Sequence, residues 1–150
     1  MRQILLFIAI VSILLTTISC LCGYNACHKT DPKKINFHLI PHTHDDVGWE
    51  QTPDGYYNSM VRRIITNVVK SLQVSPNRRF TYVEMFFFHR WWSEQNKQTQ
   101  DLVKTMVENG QLTFTNGGWT VNDEGAAHYV DIIDQMTLGM LTIRLYNNQE

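Results

Sequence analysis

The chain has 150 residues, 43% of them hydrophobic and 18% charged, an ordinary globular composition that excludes disorder, collagen and a coiled coil. Thirteen Lys and Arg against fourteen Asp and Glu leave a formal net charge of −1, so there is neither a basic excess to hold nucleic acid nor an acidic tail. Four Trp, six Tyr and seven Phe supply large apolar surfaces, crowded most densely between residues 80 and 92, which suits a core or a ring-stacking wall.

Met1-Arg2-Gln3 is a short positive segment, and Ile4 to Ile18 is an apolar run softened only by Ser12, Thr16 and Thr17. Small residues follow at Ser19, Cys20, Cys22 and Gly23. This pattern predicts a secretory signal peptide over residues 1–22, with a cleavage point that shifts by a few residues. The apolar run is shorter than the roughly 20 residues that span a bilayer, so no stable membrane insertion is expected once the signal is removed. The remaining cysteine is Cys27. An odd thiol in an oxidising compartment is either a tolerated free thiol or half of a disulfide whose partner lies outside this chain.

In the mature segment, Ile35 to Ile40 is rich in strand formers and stopped by Pro41, which predicts a first strand. Tyr57, Met60, Val61, Ile64, Ile65, Val68, Val69 and Leu72 form an apolar stripe at helical spacing, with Arg62, Arg63 and Lys70 off it. Ser75-Pro76-Asn77 makes a turn, Phe80 to Met85 a second strand, and Phe86 to Trp92 the start of a helix. A further helix is predicted over about Lys97 to Glu108, ended by Asn109-Gly110. Leu112 to Thr115 reads as a third strand, interrupted by Asn116-Gly117-Gly118, and a last helix runs from about His128 to Tyr146.

Strand, helix, strand, helix, strand, helix predicts parallel strands with crossover helices, an α/β architecture that is layered or a barrel. Three strands are few for a sheet that must be covered on both faces, and a barrel takes about 250 residues. Residues 23–150 are therefore expected to form the N-terminal portion of a larger α/β domain, incomplete in this chain.

Parallel α/β folds carry their chemistry just past the carboxyl ends of strands, where the two densest polar motifs lie. Pro41-His42-Thr43-His44-Asp45-Asp46-Val47-Gly48-Trp49 follows the first strand, and Asn116-Gly117-Gly118-Trp119-Thr120-Val121-Asn122-Asp123-Glu124 the third. Residues i and i+2 of an extended segment point the same way, so His42 with His44, or His44 with Asp46, can reach one metal ion. Imidazole with carboxylate suits Zn²⁺ or a similar transition ion better than Ca²⁺ or Mg²⁺, with Asp123 as a third ligand; the bland alternative is a capped, hydrogen-bonded turn. Aromatic faces beside carboxylates suit a sugar, and Trp49 is the better candidate for stacking, whereas Trp91 and Trp92 read as core. Glu84 leans towards a buried structural role, and His38 towards a core histidine.

These two motifs, with Phe80 to Glu84, Arg90-Trp91-Trp92 and Asp134-Gln135-Met136-Thr137-Leu138-Gly139, resemble the lysosomal branch of the family 38 glycoside hydrolases, the α-mannosidases, over Cys27 to about Tyr146. The resemblance implies a β/α-barrel catalytic domain, Zn²⁺ held by His44, Asp46 and Asp123, Trp49 stacked on the mannose ring, and a mannose-containing oligosaccharide as substrate. It also implies a retaining mechanism with Asp123 as nucleophile and a second carboxyl group about 5 to 5.5 Å away as acid. The family's fourth zinc ligand and its acid/base Asp fall beyond this stretch, so the chain is expected to be an inactive fragment as it stands. Cys27 resembles a family cysteine that pairs further along, and the implied destination is the secretory pathway, either lysosomal or extracellular. Two other readings remain: a barrel metallohydrolase of deacetylase or amidohydrolase type using His42 with His44, and a non-catalytic or mannose-binding relic. An incomplete barrel exposes an unpaired strand edge and apolar helix faces, which predicts poor solubility and weak zinc affinity for the isolated chain.

Overall fold

The computed structural model describes residues 31–122 and 128–147. The expected signal peptide, Cys27 and Asp123 lie outside the described residues. Helix α1, Pro53–Tyr56, starts where Thr52 caps it by accepting from the Gly55 N–H at 3.1 Å, with Pro53 in the first turn. It runs through a π-helical turn, Tyr57–Val61, into α2, Arg62–Val74. Strand β1 is Phe80–Tyr82, α3 is Met85–Ser93, α4 is Lys97–Glu108, β2 is Leu112–Phe114 and α5 is Tyr129–Asn147. Asn96 caps α4 by accepting from the Thr99 N–H at 2.9 Å, and Gly110, at φ 74°, follows its end as the Asn109-Gly110 pair predicts.

β1 and β2 pair in parallel, with Phe80 opposite Leu112 and Tyr82 opposite Phe114. The chain between them crosses over through α3 and α4, so the α/β class is as expected. The first strand is not formed where the sequence places it. Residues 35–40 carry no ladder, and Ile35 and Phe37 are 98% and 87% exposed. The chain meets β1 only at an isolated parallel bridge between His42 and Thr81, where the Thr81 N–H donates to the Pro41 carbonyl at 2.9 Å. Strand propensity is a preference for packing on a pleated surface, and among the described residues nothing lies alongside 35–40 to supply one. His38 is accordingly exposed and is not a core histidine.

The second strand also ends sooner than predicted. Beyond Tyr82 the backbone turns at Glu84 into α3, whose first amides are taken by another loop: Met85 N–H donates to the Gly118 carbonyl at 3.1 Å and Phe86 N–H to that of Trp119 at 3.0 Å. The core is built on both sides of this junction. From the predicted stripe, Tyr57, Val61, Ile65, Val69 and Leu72 are buried, whereas Met60 and Ile64 stay partly open at its edge. Opposite them lie Met85, Phe87, Phe88, Trp91 and Trp92, with Val103 and Met106 from α4. The Phe88 ring meets Phe114 edge-on at 4.8 Å, and the Trp91 indole N–H donates to the Thr66 hydroxyl at 3.0 Å. Trp91 and Trp92 are core residues, as read from the sequence.

Polar ties fix the helices to one another. The Arg90 guanidinium lies 4.2 Å over the Tyr57 ring and pairs with Asp54, while Arg62 pairs with Glu94 at 3.0 Å. Buried Gln111 donates to the carbonyls of Leu72 at 2.9 Å and Ser75 at 3.1 Å, closing the end of α2. On α5, Tyr129, Ile133, Leu138 and Leu141 are exposed. Among the described residues no helix is long and apolar enough to cross a membrane.

Candidate active site

The Pro41 to Trp49 segment leaves its bridge with β1 in an alternating conformation that sorts its side chains. Thr43 is buried and Asp45 and Val47 are half-buried, while His42, His44 and Asp46 are exposed. The His44 Nε2 and Asp46 Oδ1 atoms lie 3.4 Å apart. The His42 ring turns back, with Nδ1 2.8 Å from the Thr43 carbonyl oxygen. Of the two spacings that could share an ion, the structure therefore brings His44 and Asp46 together. Gly48, at φ 93°, turns the chain, and Trp49 stands 73% exposed on the same loop.

The inward carboxylate has a different task. Asp45 accepts from the buried Tyr82 hydroxyl at 3.4 Å, and its own N–H donates to the Glu84 Oε1 at 2.8 Å. Burial pushes the Asp45 carboxyl above its ordinary value, against the opposing effect of the Tyr82 hydrogen bond and His44. Glu84 is 0% exposed, and its Oε2 has no hydrogen-bond partner among the described residues. Burial raises its pKa, opposed by the hydrogen bond from the Asp45 N–H. Glu84 thus supports the first loop from below.

The second polar loop leaves β2 through two left-handed residues, Asn116 at φ 67° and Gly117 at φ 72°. It then lies directly against α5. A side chain at Gly139 would overlap the Gly117 carbonyl oxygen and come within 2.6 Å of the Trp119 nitrogen. Trp119 N–H donates to the Gln135 carbonyl at 3.0 Å, Thr120 N–H to Gln135 Oε1 at 3.1 Å, and Gln135 Nε2 to Asn122 Oδ1 at 2.6 Å. The Trp119 ring packs edge-on against Phe86 at 5.6 Å and beside His89 at 5.7 Å. Trp119 is thereby part of the packing.

The two loops share one support. Glu84, the residue before α3, holds the first, and the first two amides of α3 hold the second. The described part of the second loop ends at Asn122, one residue before Asp123. Among the described residues no three His, Cys, Asp or Glu side chains gather as a metal site. Between the first loop and the helix carrying Tyr56, Met60 and Ile64 lies an open cleft of about 180 Å³. Sequence reasoning left out the inward turn of Asp45 and the grip of Gln135 and Gly139. The one local signal for the latter is a glycine inside a 19-residue helix, where it is disfavoured unless something approaches closely.

Residues 34–144 match the N-terminal domain of glycosyl hydrolases family 38, and the chain belongs to that family. It is 52% identical to the lysosomal α-mannosidase of Mus musculus and 48% identical to that of Homo sapiens, each over 79% of this chain and 12% of the relative. An α-mannosidase of Canavalia ensiformis is 48% identical over 77% of this chain and 13% of its own length. The chain thus spans about one eighth of these relatives.

Proposed function

We propose that this chain forms the N-terminal part of the catalytic domain of a zinc-dependent, retaining α-mannosidase, acting on mannose-containing oligosaccharides such as N-glycans in the lysosome or elsewhere in the secretory pathway. The observation that carries the reading is the 3.4 Å approach of His44 Nε2 to Asp46 Oδ1 on the open face of the first loop. Two ligands about 2.1 Å from a tetrahedral zinc ion stand about 3.4 Å from each other, so the pair has the edge length that such an ion needs. Asp123 is the third ligand in this reading. Zinc, when bound, supplies Lewis acidity and a hold on the sugar hydroxyls.

The residues of the chain then divide the work. Asp123 attacks the anomeric carbon as the glycosidic bond breaks, forming a covalent glycosyl-enzyme, and an acid outside this chain protonates the leaving oxygen. Trp49 offers an exposed ring for the apolar face of the mannose. Asp45 and Glu84 stay behind the loop and hold its shape. A β/α barrel completed by further strands gives a covering to residues 35–40 and to the apolar face of α5, and a signal peptide over residues 1–22 delivers the protein to the secretory pathway.

Zinc content and hydrolysis of an aryl α-mannoside by the complete protein carrying this chain test the proposal. His44→Ala, Asp46→Asn and Asp123→Asn are each expected to lose zinc and at least about 100-fold in kcat. His42→Ala is expected to keep both within a few-fold. If His42→Ala strips the metal while Asp46→Asn retains it, the reading fails in favour of a His-x-His metallohydrolase.

A further inference from the structure

Gln135 belongs to neither of the two polar motifs, yet it contacts three of the four residues that precede Asp123 in the sequence. It lies near the start of α5, and its side chain and carbonyl together take hold of Trp119, Thr120 and Asn122. A backbone N–H can only donate, so the Thr120 contact identifies Oε1 and leaves Nε2 facing the Asn122 carbonyl oxygen. The head accepts from the loop backbone at Thr120 and donates to the Asn122 side chain, and only the first of these roles is fixed, because the Asn122 amide can turn.

Two glycines are shaped around this side chain. A Cβ on Gly118 would lie 3.0 Å from Gln135 Nε2 and 2.8 Å from the Thr120 carbonyl oxygen. Gly139, one turn after Gln135 and on the same helix face, leaves the helix backbone bare, which lets the Trp119 N–H reach the Gln135 carbonyl. Docking a helix needs only apolar contact, and α5 already has that through Ile143. Three hydrogen bonds to successive points on a loop fix its direction as well.

We propose that Gln135 is a positioning residue for catalysis: it clamps residues 119–122, the stretch that precedes Asp123 in the sequence, and acts on the nucleophile through them. This rests on the reading of Asp123 as nucleophile. Effects of this kind are large, because a displacement of about 1 Å at a reacting group can cost about 100-fold in rate.

The test uses the complete protein carrying this chain, with an aryl α-mannoside as substrate and a mechanism-based fluoro-mannoside to count competent sites. Gln135→Leu removes both side-chain hydrogen bonds at similar volume and is expected to lower kcat per competent site about 10- to 100-fold with KM changed less than about threefold. Gln135→Glu still accepts from Thr120, and the Asn122 amide can turn to donate to it, so kcat is expected to stay within about threefold of wild type. Gln135→Glu combined with Asn122→Asp faces two carboxylates and is expected to fall at least as far as Gln135→Leu. In the zinc-free protein, amide exchange at Thr120 is expected to speed up in Gln135→Leu and stay slow in Gln135→Glu. The proposal is overturned if Gln135→Leu loses only competent sites and keeps kcat per site, which is the result for a docking contact. It is equally overturned if Gln135→Glu is as impaired as Gln135→Leu. If Asp123→Asn retains turnover, the nucleophile reading falls and takes this proposal with it; if Asp123→Asn is inactive while Gln135→Leu is normal, only this proposal falls.

Discussion

The two polar loops of this chain, one leaving an isolated bridge to β1 and the other leaving β2, are held in opposite ways. The first, Pro41 to Trp49, is held from beneath by a buried side chain: Glu84 accepts from the Asp45 backbone while His44, Asp46 and Trp49 face outward. The second, Asn116 to Asn122, is held from the side by bare helix backbone at Gly139 and by the head of Gln135. A side-chain support can be altered by degrees, because its head group can be exchanged without moving the backbone it holds. A backbone-to-backbone support has no such tolerance, since the atoms already touch. The loop that precedes Asp123 has the rigid support, and the loop that turns His44 and Asp46 outward has the adjustable one.

The sharpest way to break that contrast is Gly139→Ala. In the interior of an ordinary exposed helix this change stabilises by about 0.5 to 1 kcal/mol. Here the added methyl overlaps the Gly117 carbonyl oxygen and crowds the Trp119 nitrogen, and neither backbone atom can rotate away. A loss of about 3 kcal/mol or more is expected, read as a lower Tm or as insoluble product. A neutral or stabilised Gly139→Ala protein would show that α5 does not press on the loop.

Substitution at Glu84 examines the other support. Glu84→Ala leaves a cavity and the Asp45 N–H without its acceptor, for an expected loss of about 2 to 4 kcal/mol. Glu84→Gln keeps an acceptor of the same shape and is expected to be nearly neutral at acid pH. The sign of the pH dependence follows from burial. The folded-state pKa lies above the ordinary value of 4.5, so the folded protein holds this proton more tightly than the unfolded one. The resulting stability is fully present below the ordinary value and is lost as pH rises through the raised one. The Asp45 charge works in the same direction and His44 against it. Melting curves of zinc-free wild type and Glu84→Gln are therefore expected to diverge as pH rises, with the Gln variant the more stable at neutral pH. Parallel curves would show that Glu84 is charged in the fold.

What could be read from the sequence follows the same division. Side chains that declare their chemistry were legible: the His44 and Asp46 alternation, the Trp91 and Trp92 core, and the helical stripe from Tyr57 to Leu72 all have local signals in residue type and period. The stripe over-promised at Met60 and Ile64, because periodicity marks a face without saying how far a neighbour covers it. The Ile35 to Ile40 segment misled for a related reason: strand formers announce a preference that only a partner can satisfy. The second support was illegible because it is made by backbone. Gly139 has no side chain to announce it, and Gln135 on a helix is an unremarkable residue until Thr120 and Asn122 are brought to it.

The smallest effect on stability, and the most selective on function, is expected at Trp49. Its ring is 73% exposed, beyond Gly48 at φ 93°, so Trp49→Ala removes little packing and is expected to change stability by no more than about 0.5 kcal/mol. If the ring stacks on the sugar, the same variant loses an aromatic contact worth about 1 kcal/mol or more in the bound state, and KM for an α-mannoside is expected to rise several-fold while zinc content stays full. That separation of stability, metal and KM matters because Trp49 stands on the adjustable loop, where a substitution can leave the support from Glu84 intact. A fall in zinc content equal to that of Asp46→Asn would mean instead that the ring holds the loop in shape, and the contrast between an outward functional face and an inward supporting face would have to be redrawn at Gly48.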